Sequence, residues 1–139
     1  MKILILCTGN SARSQMAHGI LQYLNPELDV YSAGTSPLKR VKSMAVEVMH
    51  DIGIDISHHI PVNVEIYKKE KWDYVITVCD GAKETCPTFS GKVKHRLHVS
   101  FEDPAAKYPD KEQERQAYIN VRNKILLELF RLNVKTLSA

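Results

Sequence analysis

The sequence predicts a single α/β domain built on a parallel sheet, and three observations carry that prediction. The apolar run Ile3-Leu4-Ile5-Leu6 is continuous rather than alternating, as in a strand buried on both faces, and residues 72–78 read as a second interior strand. Between and after these runs lie stretches with apolar residues at helical spacing, and strands alternating with helices imply a parallel sheet covered on both faces. The length of 139 residues, 44% hydrophobic and 25% charged, suits one soluble domain over 1–139 with a proper core.

Residues 2–6 form the first predicted strand. Residues 14–24 follow as a helix with Met16, Ile20 and Leu24 on one face, closed by Asn25-Pro26. Residues 28–33 read as a second strand ending at Gly34. Residues 41–52 carry Ala45, Val48, Met49 and Ile52 at helical spacing, with Gly53 where a C-terminal cap belongs. A short strand is expected near 54–56. The 72–78 strand ends at Cys79, and residues 80–94, containing Cys86-Pro87 and Ser90-Gly91, read as irregular. Residues 96–99 are the last predicted strand. Residues 112–132 form a long amphipathic helix whose stripe of Tyr118, Val121, Ile125, Leu129 and Leu132 belongs to the core, and the tail 133–139 is expected to fray.

Composition narrows the function classes. A net charge of +3, spread along the chain, gives no footprint for nucleic acid. The first apolar stretch is too short for a signal peptide or a membrane span, so a cytoplasmic protein with no membrane contact is expected. Three cysteines are too few for a secreted disulfide framework and should rest as thiols. Of the six histidines, His58-His59 and the His95/His98 pair lack a cysteine or carboxylate at metal-ligand spacing, so they read as solvated surface residues. No metal or cofactor is implied, and nothing demands more than a monomer.

The chemistry concentrates in Cys7-Thr8-Gly9-Asn10-Ser11-Ala12-Arg13-Ser14, directly after the first strand. A five-residue loop between a cysteine and an arginine, opening a helix, can curl around a tetrahedral oxyanion with its backbone N–H groups and the helix dipole. Arg13 offers a planar fork of donors. The same positive field is expected to lower the pKa of Cys7, with Ser14 capping the helix and donating to the sulfur. The implied reaction is attack by sulfur on the central atom of arsenate, phosphate or a phosphate ester. Cys7 and Cys79 both end predicted strands and so can open onto one crevice. Asp103-Pro104, after the bulky Phe101, is the general-acid candidate, provided that burial and the neighbouring anion raise its pKa. Cys79 and Cys86 are seven residues apart. On an intact helix that is a rise of roughly 10.5 Å, whereas a disulfide needs Cα atoms within roughly 7 Å.

Residues 7–14 with Gln15-Met16-Ala17, Tyr31-Ser32-Ala33-Gly34, Val78-Cys79 through Cys86-Pro87, and Phe101-Glu102-Asp103-Pro104-Ala105 together resemble the thioredoxin-coupled arsenate reductases, of the low-molecular-weight protein tyrosine phosphatase superfamily. The resemblance runs over nearly the whole chain. It implies a four-stranded parallel sheet flanked by helices, and a three-cysteine cascade. Cys7 attacks arsenate held by the loop and Arg13, Asp103 protonates the departing oxygen, Cys79 displaces arsenite from Cys7, and Cys86 then forms a Cys79–Cys86 disulfide for thioredoxin to reduce. The segment between Cys79 and Cys86 would loop out on oxidation. Phosphate or sulfate would also fit the loop. Ala12 stands where some relatives carry a cysteine, which the loop does not need. Some relatives bind potassium beside the residues matching Asn10 and Ser32; here His18 and Ile60-Pro61-Val62 stand where they have carboxylates, so that site is expected to be absent. Residues 37–42 are more basic than the resemblance explains.

Two other functions compete. A low-molecular-weight tyrosine phosphatase would use Cys7, Arg13 and Asp103 alike, but such enzymes generally have proline where Gln15 stands and an aromatic residue where Ala105 stands. Weak phosphatase activity is expected even of a reductase. A redox sensor would keep Cys79 and Cys86 but have no use for Asp103.

Overall fold

Four parallel strands, Lys2–Cys7 (β1), Asp29–Gly34 (β2), Trp72–Thr77 (β3) and Val93–His98 (β4), pair in the order β2-β1-β3-β4. The computed structural model describes residues 1–85 and 88–137. The α-helices are Arg13–Leu24 (α1), Ser43–His50 (α2), Asp80–Thr85 (α3) and Lys111–Leu132 (α4). The fold class is therefore as expected: a four-stranded, wholly parallel sheet with helices between and after its strands.

β1 holds the middle of the sheet because its side chains can be buried on both faces. Ile3, Leu4, Ile5 and Leu6 are all fully buried, each contributing roughly 1.5–3 kcal/mol against its exposed state. β1 is also where the strand order reverses: β2 lies on one side and β3 on the other. Such reversals open a crevice beyond the carboxyl ends of the strands, and Cys7 is the last residue of β1. Its register partner is Gly34. A Cβ at Gly34 would lie 2.5 Å from the Thr8 carbonyl oxygen and 3.1 Å from the Asn10 nitrogen, so the loop after β1 sits where only glycine leaves room.

α4 packs on α1 and α2. Tyr118, Val121, Ile125 and Leu129 of its expected stripe are buried, while Leu132 is only partly so. Asp110 caps it by accepting from the Gln113 N–H at 2.9 Å. Gly53 closes the turn after α2 with φ of 79°.

Three expectations are corrected. No strand forms at 54–56; Ile54 and Ile56 are buried instead over Gly19, where a Cβ would come within 2.7 Å of the Ile56 side chain. The stretch 80–94 is not irregular throughout, for α3 occupies its first part and β4 begins at Val93 rather than 96. Through residue 137 the tail is ordered helix rather than frayed. Asn133–Leu137 continue α4 as a wider helical turn, with Leu137 buried and the Asn25 amide donating to Asn133 Oδ1 at 3.0 Å. Cys86 and Pro87 lie outside the described residues, as do residues 138 and 139.

Replacing Gly34 by alanine should cost about 1–3 kcal/mol in urea unfolding, since backbone rather than a flexible side chain blocks the added methyl. A loss below about 0.5 kcal/mol would contradict the close approach described here.

Candidate active site

Residues 7–13 line a cavity of about 350 Å³, closed on its other sides by Ser36, Leu38, Lys42, Asp103 and Ala105. The loop is locked in shape by Asn10, which is fully buried and has φ of 50°, a left-handed backbone that asparagine tolerates better than most residues. Its side chain accepts from the Val62 N–H at 2.9 Å and donates to the Ser14 hydroxyl at 2.7 Å. Its carbonyl accepts from Gln15 Nε2 at 3.1 Å, and the same nitrogen reaches the Ile60 carbonyl at 3.2 Å.

α1 begins at the far end of this loop with Ala12 as its N-cap, no side-chain cap and no acidic residue in its first turn. Its first N–H groups and the positive end of its dipole are thus not spent on a protein side chain. Arg13, with its side chain 16% exposed, donates to the Phe101 carbonyl at 3.1 Å and pairs with Asp103 at 3.5 Å. Phe101 is itself buried and bonded to the Val78 carbonyl, so the segment carrying Asp103 is tied to β3 and the loop together.

Of the two described cysteines, Cys7 ends β1 and lines the cavity, while Cys79 follows β3 and sits against the cavity residue Thr8. Both are buried free thiols, close enough for each to shift the other's ionisation. The Cys79 sulfur also lies 3.5 Å from the Thr8 hydroxyl and accepts from the Ala82 N–H at 3.4 Å, in the first turn of α3. α3 is anchored by His98, which bridges the Thr77 hydroxyl at 2.7 Å and Asp80 at 3.0 Å.

This coupling reverses an expectation about charge. The Cys79 pKa is lowered to about 5, chiefly by the Cys7 hydrogen bond, then by Thr8, Ala82 and Arg13 against burial. The Cys7 pKa is raised, first by its bond to Cys79 and then by burial, with Arg13 opposing. The pair therefore holds one negative charge far more readily than two, and the directions favour Cys79 as its carrier. Loop and arginine do favour an anion, but the adjacent sulfur takes it.

Other expected site residues stand as follows. Thr8, Gly9, Asn10, Ser11, Ala12 and Arg13 all line the cavity, as does Asp103. Ser14 does not; fully buried and bonded to Asn10, it braces the loop from behind instead of capping α1. The Asp103 side chain is 53% exposed, so the burial expected for it is missing. The histidines are not all solvated. His18 is half-buried, bonded to the Ser32 hydroxyl at 2.9 Å and with its ring tilted against that of His59 at 4.6 Å; His59 donates to Gln15 Oε1 at 2.9 Å. Burial and the neighbouring His59 lower the His18 pKa to about 4. Gln15, His59 and His18 thus brace the loop. Among the described residues no cluster of histidine, cysteine or carboxylate is arranged to hold a metal, and no helix is long and apolar enough to cross a membrane.

Known proteins are similar to this chain in sequence and fold. The family model for low molecular weight phosphotyrosine protein phosphatases matches residues 2–132. An arsenate reductase of Halalkalibacterium halodurans is 41% identical over 124 residues, spanning 88% of each chain. A solved arsenate reductase in its phosphate-binding state superposes with a TM-score of 0.79 at 27% identity, covering 96% of this chain and 97% of the other. A low molecular weight protein tyrosine phosphatase from T. tengcongensis superposes with a TM-score of 0.77 at 26% identity, covering 97% and 99%.

The shared proton makes a titration informative. In a Cys86→Ala background, thiolate absorbance should show one sulfur ionising near pH 5 and a second only far higher. Adding Cys79→Ser should abolish the low step and let Cys7 ionise at a lower pH than before, because the bond that raises it is gone. A low step that survives in the double variant would place the thiolate elsewhere.

Proposed function

We propose that this chain, which belongs to the low-molecular-weight phosphotyrosine protein phosphatase family, reduces arsenate to arsenite through a cascade of its three cysteines. The observation that carries this reading is a second buried free thiol, Cys79, held against Thr8 of the loop and coupled in its ionisation to Cys7, which lines the cavity. A phosphatase of this design ends with water attacking the phosphorylated cysteine, and a second sulfur beside the nucleophile has no task there. In a reductase it is the next nucleophile.

The steps follow from the charges and contacts. With an oxyanion seated against α1 and Arg13, the proton of Cys7 passes to the Cys79 thiolate, and the Cys7 thiolate, stabilised by Arg13 and the dipole of α1, attacks arsenic. A sulfur–arsenic bond forms, an arsenic–oxygen bond breaks, and Asp103 protonates the departing oxygen. Cys79 gives up that proton to solvent, its thiolate being stabilised by Thr8 and the Ala82 N–H, and attacks the Cys7 sulfur. The sulfur–arsenic electron pair then stays on arsenic, which leaves as arsenite with two more electrons than it brought, and Cys7 and Cys79 share a disulfide. Cys86 attacks Cys79 and releases the Cys7 thiolate, leaving a Cys79–Cys86 disulfide. A dithiol partner of the thioredoxin type takes that disulfide and completes the cycle in a reducing, cytoplasmic setting.

α3 suits the movement this requires. It is six residues long, too short to hold itself without packing, and unwinding it brings Cys79 and Cys86 within disulfide reach. The chain acts as a monomer needing no cofactor. Slow hydrolysis of phosphate esters follows from the same loop, because phosphate matches arsenate in shape and charge. The phosphatase reading is the alternative, favoured by the solved phosphatase of the same fold.

Arsenate supplied with thioredoxin, its reductase and a nicotinamide cofactor should drive continuous cofactor oxidation. Cys86→Ala should cut steady-state turnover at least about 100-fold, because only a single turnover remains open to it. Asp103→Asn should slow the first step about 10²–10⁴-fold. A phosphatase would show no arsenate-dependent oxidation, and its ester hydrolysis would ignore Cys86.

A further inference from the structure

We propose that Lys42 is a second cation of the oxyanion site and sets its affinity for a doubly charged tetrahedral anion; the inference rests on the oxyanion reading of the cavity and extends it. Lys42 lines the same cavity as Cys7 and Arg13. The backbone fixes it there. The Lys42 N–H donates to the Ser11 carbonyl at 2.8 Å, and the Ser36 and Leu38 N–H groups donate to Thr8 and Gly9 at 2.9 Å, zipping the segment onto the loop. The residue is half-buried. Among the described residues it makes no ion pair, whereas Lys2, Lys68 and Lys94 pair with Glu70, Glu65 and Asp73. A lysine of the cavity wall that no carboxylate pairs with among the described residues leaves its charge available to an anion in the cavity.

The local fold has no other use for this lysine. It is the N-cap of α2, where serine, threonine, aspartate or asparagine would satisfy free N–H groups, and it makes no cap bond. Its charge also opposes the positive end of the helix dipole. Lys39 and Arg40, the other cations of this basic segment, are exposed and do not line the cavity.

Charge balance in the site points the same way. Arg13 is already matched by Asp103, and the thiolate on Cys79 leaves one negative charge in excess. A dianion entering that site would be repelled. Lys42 restores neutrality before the anion arrives, and the dipole of α1 can then act on it unopposed.

Inorganic phosphate titrated into the reduced protein tests this, because phosphate is not consumed and its binding does not depend on arsenate turnover. At low salt, Lys42→Gln and Lys42→Ser should weaken phosphate about fivefold or more. Lys42→Arg should hold it within about twofold, and Lys39→Gln should leave it near the parent value. Lys42→Ser should also raise the thermal midpoint of the phosphate-free protein, since serine caps α2; a merely structural lysine would lower it. In arsenate turnover, Lys42→Gln should raise KM and spare kcat. Unchanged phosphate affinity in Lys42→Gln, an equal loss in Lys39→Gln, or a fall in midpoint for Lys42→Ser would each overturn the assignment. Parent protein that binds no phosphate would overturn the oxyanion reading along with it, whereas phosphate binding without arsenate turnover would overturn the reductase reading alone.

Discussion

One pairing organises this molecule: two buried thiols, Cys7 and Cys79, each of which shifts the other's ionisation. It exists because β1 and β3 are adjacent and parallel, so the loops after their carboxyl ends meet on one side of the sheet. Two buried thiols so coupled cannot both ionise without strong repulsion, so they share a proton and titrate as a pair. The second sulfur is thereby placed beside the one it attacks in the proposed cascade.

The rest of the structure holds the two sulfurs and the anion cradle in register. The buried residues of β1 set the height of Cys7, and Gly34 leaves space for the loop to fold back over β2. Asn10 accepts a left-handed backbone, with Ser14, Val62 and Gln15 bonded around it. Arg13 is steered from the opposite side by Phe101 and Asp103. The cradle is therefore braced from several sides, while α3, which carries the residues after Cys79, is only six residues long. Rigidity where the anion binds and freedom where the disulfide must travel are the two mechanical demands of the proposed cascade.

Much of the architecture is legible in the sequence because it rests on periodicity. The unbroken apolar run of β1 and the stripe of α4 have no other stable reading, and the position of Cys7 before a helix follows from them. The failures are equally physical. Ile54 and Ile56 alternate like a strand, yet they are buried by packing over Gly19 rather than by pairing. α3 is too short to show a period, and the burial of Leu137 depends on packing that no local signal announces. In the site, the loop and Arg13 are readable from spacing, but the charge on Cys79 is not, because it depends on a residue 72 positions from Cys7. The bracing by Gln15, His59 and His18 is hidden for the same reason. Lys42 leaves only a faint trace, as a lysine where a helix cap belongs.

The most direct test uses a single turnover. Fully reduced Cys86→Ala protein receives one equivalent of arsenate with no external reductant, and the products are quenched in acid for arsenic speciation and peptide mapping. The account predicts one arsenite per chain together with a Cys7–Cys79 disulfide. Free thiols and unchanged arsenate at the end of that reaction would contradict it, as would arsenite formed while Cys79 stays reduced.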